Sequence, residues 1–393
     1  MAKIDMMQVI NDLAYTRLSG TENDEVKCKA YLLDKFKAFG VEPVTEPVPW
    51  STFSTNVLIK LVVTVIFCGL VAGLVFEWLG WALVNLFFII GIIGSLLFAI
   101  GAQQSKIDSF ATMGKQQQTY NIYSQVPSKD EGEKPSRNII FMAHHDTKTQ
   151  KVTTIVRTVS YVLALFASLV MGLVFIISSI AKIAGAPSAS VSWVWPMLIV
   201  IFIANMPFLV ILIVNKSIEG TSLGSLDNAT GMAIVLKLLE HYVEKPIANC
   251  NIWFLITGAE EWGMDGAIAF RKSKQLDPAK TFVFNFDMVA QGLNYVAKFG
   301  LPKGKPYNKR LNDLFTSAAR DLGIQVDGFW IPLLGTTDGY IFKVHGYETI
   351  DIITMKTAKY THSKKDTPAV CDAKTMQGAV EVTVKTVEKL VSE

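Results

Sequence analysis

Five stretches of this chain place histidine, aspartate or glutamate where an apolar run ends or a helical pattern begins. "RNIIFMA" leads into His144-His145-Asp146, and "NIWFLIT" leads through a glycine-alanine step into Glu260-Glu261. "TFVFNF" ends on Asp287, "YETIDIIT" precedes "YTHSKKDT" with His362 and Asp366, and Asp227 stands in "SLDNAT". Adjacent glutamates are electrostatically poor, because each carboxylate opposes ionisation of the other. Either something cationic sits beside Glu260 and Glu261, or the pair lies in open solvent. Imidazole and carboxylate side chains suit Zn²⁺ and other divalent transition metals. One aspartate after a strand is commonly a turn residue or a helix cap. Several strands that deliver such side chains to one edge read as a metal site. His144 and Asp146 are one residue apart, so Asp146 could hold the imidazole by hydrogen bonding. His145 would point the opposite way if the strand continues.

The elements that must position these residues are legible in the same stretches. The apolar runs are short and rich in β-branched and aromatic residues, as strands buried on both faces are. Helical periodicity occupies residues 5–18 and 24–39, "GMAIVLKLLEHYVEK", "DGAIAFRKS", "NKRLNDLFTSAARDLG" and the C-terminal "DAKTMQGAVEVTVKTVEKLVSE". Asp227 or Asn228 is available to cap the helix that follows "SLDNAT". Strands alternating with helices imply an α/β fold, a three-layer sandwich around a largely parallel mixed sheet. In such sheets ligands bind outside the carboxyl ends of the strands.

Half of the 393 residues are hydrophobic, and mean hydropathy is +0.34. The excess is concentrated in residues 56–78, 81–102, 155–181 and 191–215, each near the ~20 apolar residues that cross a bilayer. They lack the polar stripe of a core helix. The spans come as two hairpins, at 55–102 and 154–215, inserted into a core made of 1–54, 103–153 and 216–393. Without the hairpins the core has on the order of 280 residues, a size suited to one α/β domain. An even number of crossings returns the chain to its starting side, so the core can fold on one membrane face. Lys60, Lys106, Lys115, Lys148, Lys151, Arg157 and Lys216 flank the core side, whereas Glu77 and Lys182 mark the tips. The positive-inside rule then directs the core to the cytoplasm. Trp78, Trp81, Trp193 and Trp195 gather at the tips, as interfacial aromatics do. The N-terminus does not read as a signal peptide. A net charge of +3 gives no footprint for nucleic acid. Cys28, Cys68, Cys250 and Cys371 lack paired spacing, which argues against a disulfide framework and fits a reducing compartment.

"AHHDT", "SLDNATG", "GAEEWG", "NFDM" and "THSKKDT" resemble, in order, the motifs of the co-catalytic dizinc aminopeptidases of metallopeptidase clan MH. Relatives of that group are glutamate carboxypeptidases, glutaminyl cyclases and the transferrin-receptor ectodomain. The opening "YTRLSGTENDEVKCKAYLLDKFKAFG" and the late "GTTDGYIFKVHGYET" are also similar, so the resemblance spans the core but neither hairpin. It implies that His144 and Asp287 hold one metal ion, Glu261 and His362 a second, and that Asp227 bridges both. It further implies Glu260 as general base, with exchange of the two glutamate roles as the alternative. Asp338 matches an acidic position of the pattern, where substrate contact and a turn carboxylate are both open; Gly339 departs from the histidine often found next. Arg17 could neutralise an acidic neighbour or contact nothing of importance. The expected cofactors are two divalent ions, Zn²⁺ above all, and the expected partners are a peptide with a free N-terminus and the lipid bilayer. A catalytically silent membrane scaffold, and another amide hydrolase or glutaminyl cyclase-like enzyme, are the competing expectations. The complete ligand set and Glu260 favour the dizinc peptidase over both.

Overall fold

The computed structural model of the chain describes residues 3–21, 24–95, 113–130, 136–218, 220–300, 304–331 and 337–393. The backbone divides into two units. One comprises Met1–Ser51, Ala111–Thr149 and Ser217–Glu393; the other comprises Thr52–Phe110 and Gln150–Lys216.

The first unit is built on a nine-stranded sheet. Its strands are β1 (Val44–Trp50), β2 (Gln117–Val126), β3 (Arg137–His144), β4 (Cys250–Thr257), β5 (Thr281–Asp287), β6 (Leu293–Phe299), β7 (Lys305–Pro306), β8 (Val326–Ile331) and β9 (Glu348–Ile353). Their spatial order is β1-β2-β4-β3-β5-β9-β6-β8, with β7 against β6. The central strands β4, β3, β5 and β9 run parallel, and antiparallel pairs flank them. The parallel register aligns His144 with Thr257 and Ile353 with Asp287. The carboxyl ends of the central strands therefore form one edge.

Period-two alternation sends Ile139, Phe141 and Ala143 of β3 into a core with the helix Thr230–Glu244, whereas Ile140 and Met142 are buried away from that cluster. Phe141 packs its ring among Tyr242, Phe254, Phe284 and Phe286 at centroid distances of 5.5–6.5 Å. The helices Lys309–Asp321 and Ala373–Ser392 join this core, while Asp265–Lys274 and Asp338–Val344 pack on the other side of the sheet. The expected helix over 5–18 is shorter, Met6–Asp12, capped by the Asp5 carboxylate. Residues 13–20 leave the helix, and the Arg17 side chain turns inward among backbone carbonyls, fully buried.

Among the described residues of the second unit, three helices are long and apolar enough to cross a membrane: Phe53–Trp78, Thr154–Ile183 and Ser188–Val214. The fourth expected segment, 81–102, begins as the apolar helix Ala82–Ser95, and its remainder lies outside the described residues. Val63, Ile66, Leu70 and Leu74 pack with Phe175, Leu198 and Leu209 to form the unit's own core. Glu77 and Lys182, expected as hairpin-tip residues, bond to each other at 2.6 Å. Trp78, Trp81 and Trp193 are exposed, and the Trp195 indole donates to the Leu74 carbonyl at 3.1 Å.

Candidate metal centre

At the carboxyl edge of the central strands, two groups of potential ligands share one residue. His144, Asp227 and Asp287 form the first; Asp227, Glu261 and His362 form the second. Within each group one donor atom per residue lies within 4.8 Å of the others. His144 Nε2 is 3.2 Å from Asp227 Oδ1 and 3.6 Å from Asp287 Oδ1. His362 Nε2 is 3.2 Å from Asp227 Oδ2 and 2.7 Å from Glu261 Oε1. The two oxygens of Asp227 thus face different imidazoles.

Each side chain reaches this place from a different element. His144 ends β3 and Asp287 ends β5. Glu260 and Glu261 open a four-residue helical turn after β4, and the turn is entered through Ala259 at φ 56°. Met288, directly after Asp287, and His362 also adopt positive φ, at 53° and 57°. Non-glycine residues seldom adopt this conformation, and such outliers cluster at functional sites. Asp227 lies on the loop before the helix Thr230–Glu244, and its peptide bond to Asn228 is cis. Of the two expected caps, Asn228 is the one that serves, since its Oδ1 accepts from Gly231 N at 2.9 Å and its Nδ2 donates to Phe286 O at 2.8 Å. A Cβ at Gly231 would lie 2.4 Å from that same Phe286 carbonyl, so glycine lets the helix seat against the strand that carries Asp287.

Asp146 does more than its spacing implied. Its carboxylate lies 3.5 Å from His144 Nδ1, whose nearer partner is the Asp146 backbone carbonyl at 3.1 Å. The same carboxylate accepts from the amides of Glu260 and Glu261 at 3.1 and 3.3 Å, so it ties the histidine loop to the glutamate turn. His145 does point the other way: Nε2 meets the Tyr120 carbonyl at 2.9 Å, and the ring stacks on Tyr120. Asp338 is 1% exposed and accepts from the Thr257 hydroxyl, with Oδ1 lacking a hydrogen bond.

Two further residues depart from expectation. Lys148, counted above among cations at a membrane face, is buried and donates to the Glu261 carbonyl at 2.5 Å. It also lies 4.9 Å from the Trp262 ring centre. Among the described residues Arg17 makes no ion pair; its guanidinium donates to carbonyls, His145 O and Gly224 O among them. Asp366, named in its motif without a role, takes the amides of Leu226 and Asp227. A carboxylate four residues beyond a candidate ligand was the available signal for Asp366; nothing local marked Arg17 or Lys148.

The electrostatics are those of a site short of positive charge. The carboxylates of Asp146, Asp227, Glu260, Glu261, Asp287 and Asp338 outnumber the imidazoles of His144 and His362. Burial opposes protonation of His144, but Asp146, Asp227 and Asp287 outweigh it and hold the pKa well above the ordinary histidine value. Burial likewise opposes protonation of His362, yet Glu261 and Asp227 carry it up to about 9. Burial alone would raise Asp227; both imidazoles pull it below the usual range. Burial, then the neighbouring Asp227 and Glu261, push Asp287 up to about 6. Burial and the carboxylates of Glu261, Asp287 and Asp338 hold Glu260 well above normal. His144 Nε2 and Asp287 Oδ1 are buried without a hydrogen-bond partner. Orphaned donor atoms, mixed imidazole and carboxylate ligands and surplus negative charge all fit divalent cations.

Residues 212–387 match the sequence profile of Peptidase family M28. The match covers a little under half of the chain and makes that segment similar to the family. The matched segment carries Asp227, Glu260, Glu261, Asp287 and His362; His144 precedes it on β3 of the same sheet. The match supports a peptidase-type hydrolase. A search of curated proteins finds no significant match. Among solved structures, an aminopeptidase from Aneurinibacillus sp. strain AM-1 aligns with a TM-score of 0.56 at 13% identity, over 97% of this chain and 92% of that one. A zinc aminopeptidase from Bacillus subtilis gives 0.53 at 12% identity, over 98% and 94%. An Acidobacteriales bacterium glutaminyl cyclase gives 0.52 at 12% identity, over 98% and 94%. At such identities the likeness establishes the fold.

Proposed function

We propose that the chain is a membrane-anchored dizinc aminopeptidase, removing residues from the free N-termini of peptides. The observation that carries this reading is the pair of ligand groups sharing Asp227, with Glu260 next in sequence to a member of one group. In this reading His144 and Asp287 hold one ion, Glu261 and His362 the other, and Asp227 holds both. When bound, two such ions supply Lewis-acid polarisation of the scissile carbonyl and lower the pKa of water. Glu260 takes the proton of the attacking water and returns it to the departing amine. Asp146 steadies the His144 ring and the amides that begin the glutamate turn. Asp338, buried behind β4, acts through Thr257 rather than as an open substrate contact.

The apolar helices of the second unit are read as two bilayer-spanning hairpins, four crossings in all, with the peptidase core on the cytoplasmic face. Lys60, Lys106, Lys115, Lys151, Arg157 and Lys216 support that orientation by their place in the sequence, without Lys148. Likeness to glutaminyl cyclases sustains one competing reading, cyclisation of N-terminal glutamine; the second ligand group argues for the two-metal peptidase. The deciding experiment incubates detergent-purified protein with aminoacyl and N-blocked reporters and with glutaminyl peptides, beside Glu260→Gln and chelator-treated samples. Cleavage confined to free-amine reporters and lost in both controls is expected. Cyclisation without cleavage would select the cyclase, and neither activity with no bound metal would select a silent scaffold.

A further inference from the structure

We propose that Arg17 and Asp366 are positioning residues that clamp the loop Ser222–Asp227, one through its carbonyls and the other through its amides, and thereby set where Asp227 stands. This rests on the reading of Asp227 as the shared metal ligand. Ser225–Ala229 form only a single π-type turn, broken at Asp227, which has extended, non-helical angles of φ −117° and ψ 86°. Its backbone groups are buried and must find partners elsewhere.

Arg17 is fully buried. Its Nη2 donates to Gly224 O at 2.8 Å and its Nη1 to Leu223 O at 3.2 Å, while Nε donates to His145 O at 2.7 Å. One rigid fork thus ties the loop of Asp227 to the loop of His144. Gly224 makes the approach possible. It sits at φ 61°, and a Cβ there would lie 2.1 Å from Thr147 Cγ2 and 2.7 Å from Arg17 Nη2. Asp366, also fully buried, accepts from Leu226 N at 2.6 Å, from Asp227 N at 3.3 Å and from Ser222 Oγ at 3.2 Å. It ties the same loop to the segment of His362. Asp227 is therefore held in register with a histidine from each ligand group by residues that belong to neither. Lysine cannot reproduce the fork of Arg17. Asparagine at 366 would turn an NH₂ group toward backbone N–H donors and leave one of them without an acceptor.

The test uses the full chain in detergent, stripped of metal and titrated with Co²⁺ while its visible absorption and calorimetric binding are followed. Asp366→Asn and Arg17→Lys are each expected to weaken Co²⁺ binding about 10–100-fold, the usual effect of losing support behind a ligand. Their cobalt bands should shift, because the bridging carboxylate is displaced. Asp366→Glu, which keeps the acceptor oxygens, should recover part of the affinity, and Ser222→Ala should stay within a few-fold of wild type. If both principal variants melt earlier in the metal-free state but bind Co²⁺ with wild-type affinity and spectrum, the clamp only staples the fold and the proposal fails. A wild-type protein that binds no Co²⁺ would instead overturn the metal reading itself, which is a separate result.

Discussion

Each unit of this protein buries a cluster of ionisable side chains, and the two clusters resolve their charge differently. In the apolar unit Glu77 is 4% exposed, and its Oε1 accepts from Lys182 at 2.6 Å and from Ser178 at 2.5 Å. Its Oε2 accepts from Asn85 Nδ2 at 3.3 Å. Carboxylate and ammonium cancel, and both carboxylate oxygens are satisfied. In the peptidase unit carboxylates exceed imidazoles, and His144 Nε2 and Asp287 Oδ1 have no hydrogen bond. Buried charge must be paired or bound to a metal. A cluster that closes on itself holds helices together; one with charge left over is suited to a cation, as the proposed function requires.

The largest effect that would sharpen this contrast is chemical. Glu260→Gln is expected to lower kcat about 10²–10⁴-fold, the span of a general acid–base contribution. Metal content, measured by inductively coupled plasma mass spectrometry, should not change. A mutant that keeps most of its turnover would transfer the base role to another group, Glu261 first. Asp227→Asn comes next, because it weakens the residue common to both ligand groups. Here metal content itself should fall, and added Zn²⁺ should restore activity only in part. Retention of two ions by that variant would break the idea of a shared ligand.

The closed cluster gives a smaller, purely structural effect. Lys182→Met leaves Glu77 buried without its counter-charge and should destabilise the apolar unit by roughly 2 kcal/mol, tempered by the partial exposure of the lysine. The double variant Glu77→Gln, Lys182→Met should regain much of that loss, which denaturant titration in detergent would detect. No recovery would mean that the pair is not what binds these helices.

The smallest effect is a pH trend of opposite sign with and without metal. His362 in the metal-free protein titrates at about 9, against roughly 6.5 for an unfolded histidine. Its stabilisation is fully present below pH ~6.5 and is lost as pH rises through the folded value. Melting temperature of chelated protein should therefore fall between these limits. Metal-loaded protein should not follow, since ions bind deprotonated imidazole more tightly as protons leave. Parallel curves for the two forms would show that His362 is not a ligand.

Much of this candidate site could be read in the chain because its residues sit at fixed places in a local pattern. His144 and Asp287 end short apolar strands, Glu260 and Glu261 follow one, and parallel strands align their carboxyl ends. The apolar segments were equally plain, since length and unbroken hydropathy are local properties. Lys148 misled because a cation near a membrane segment looks the same in sequence whether it faces headgroups or a buried carbonyl. The helix over 5–18 was overextended for a similar reason. Periodicity continued past Asp12, but burying the Arg17 guanidinium among carbonyls of distant loops outweighed helix propensity.

By itself, then, the sequence determined the fold class, the apolar segments and the residue types available at each strand end, because these depend on spacing and composition. Only the tertiary structure decided which oxygen of Asp227 faces which histidine, that Asp146 also holds the glutamate turn, and that Arg17 and Asp366 grip one loop. Those contacts join residues more than eighty positions apart. Their geometry follows from how three loops pack at one sheet edge, which no local pattern of residues encodes.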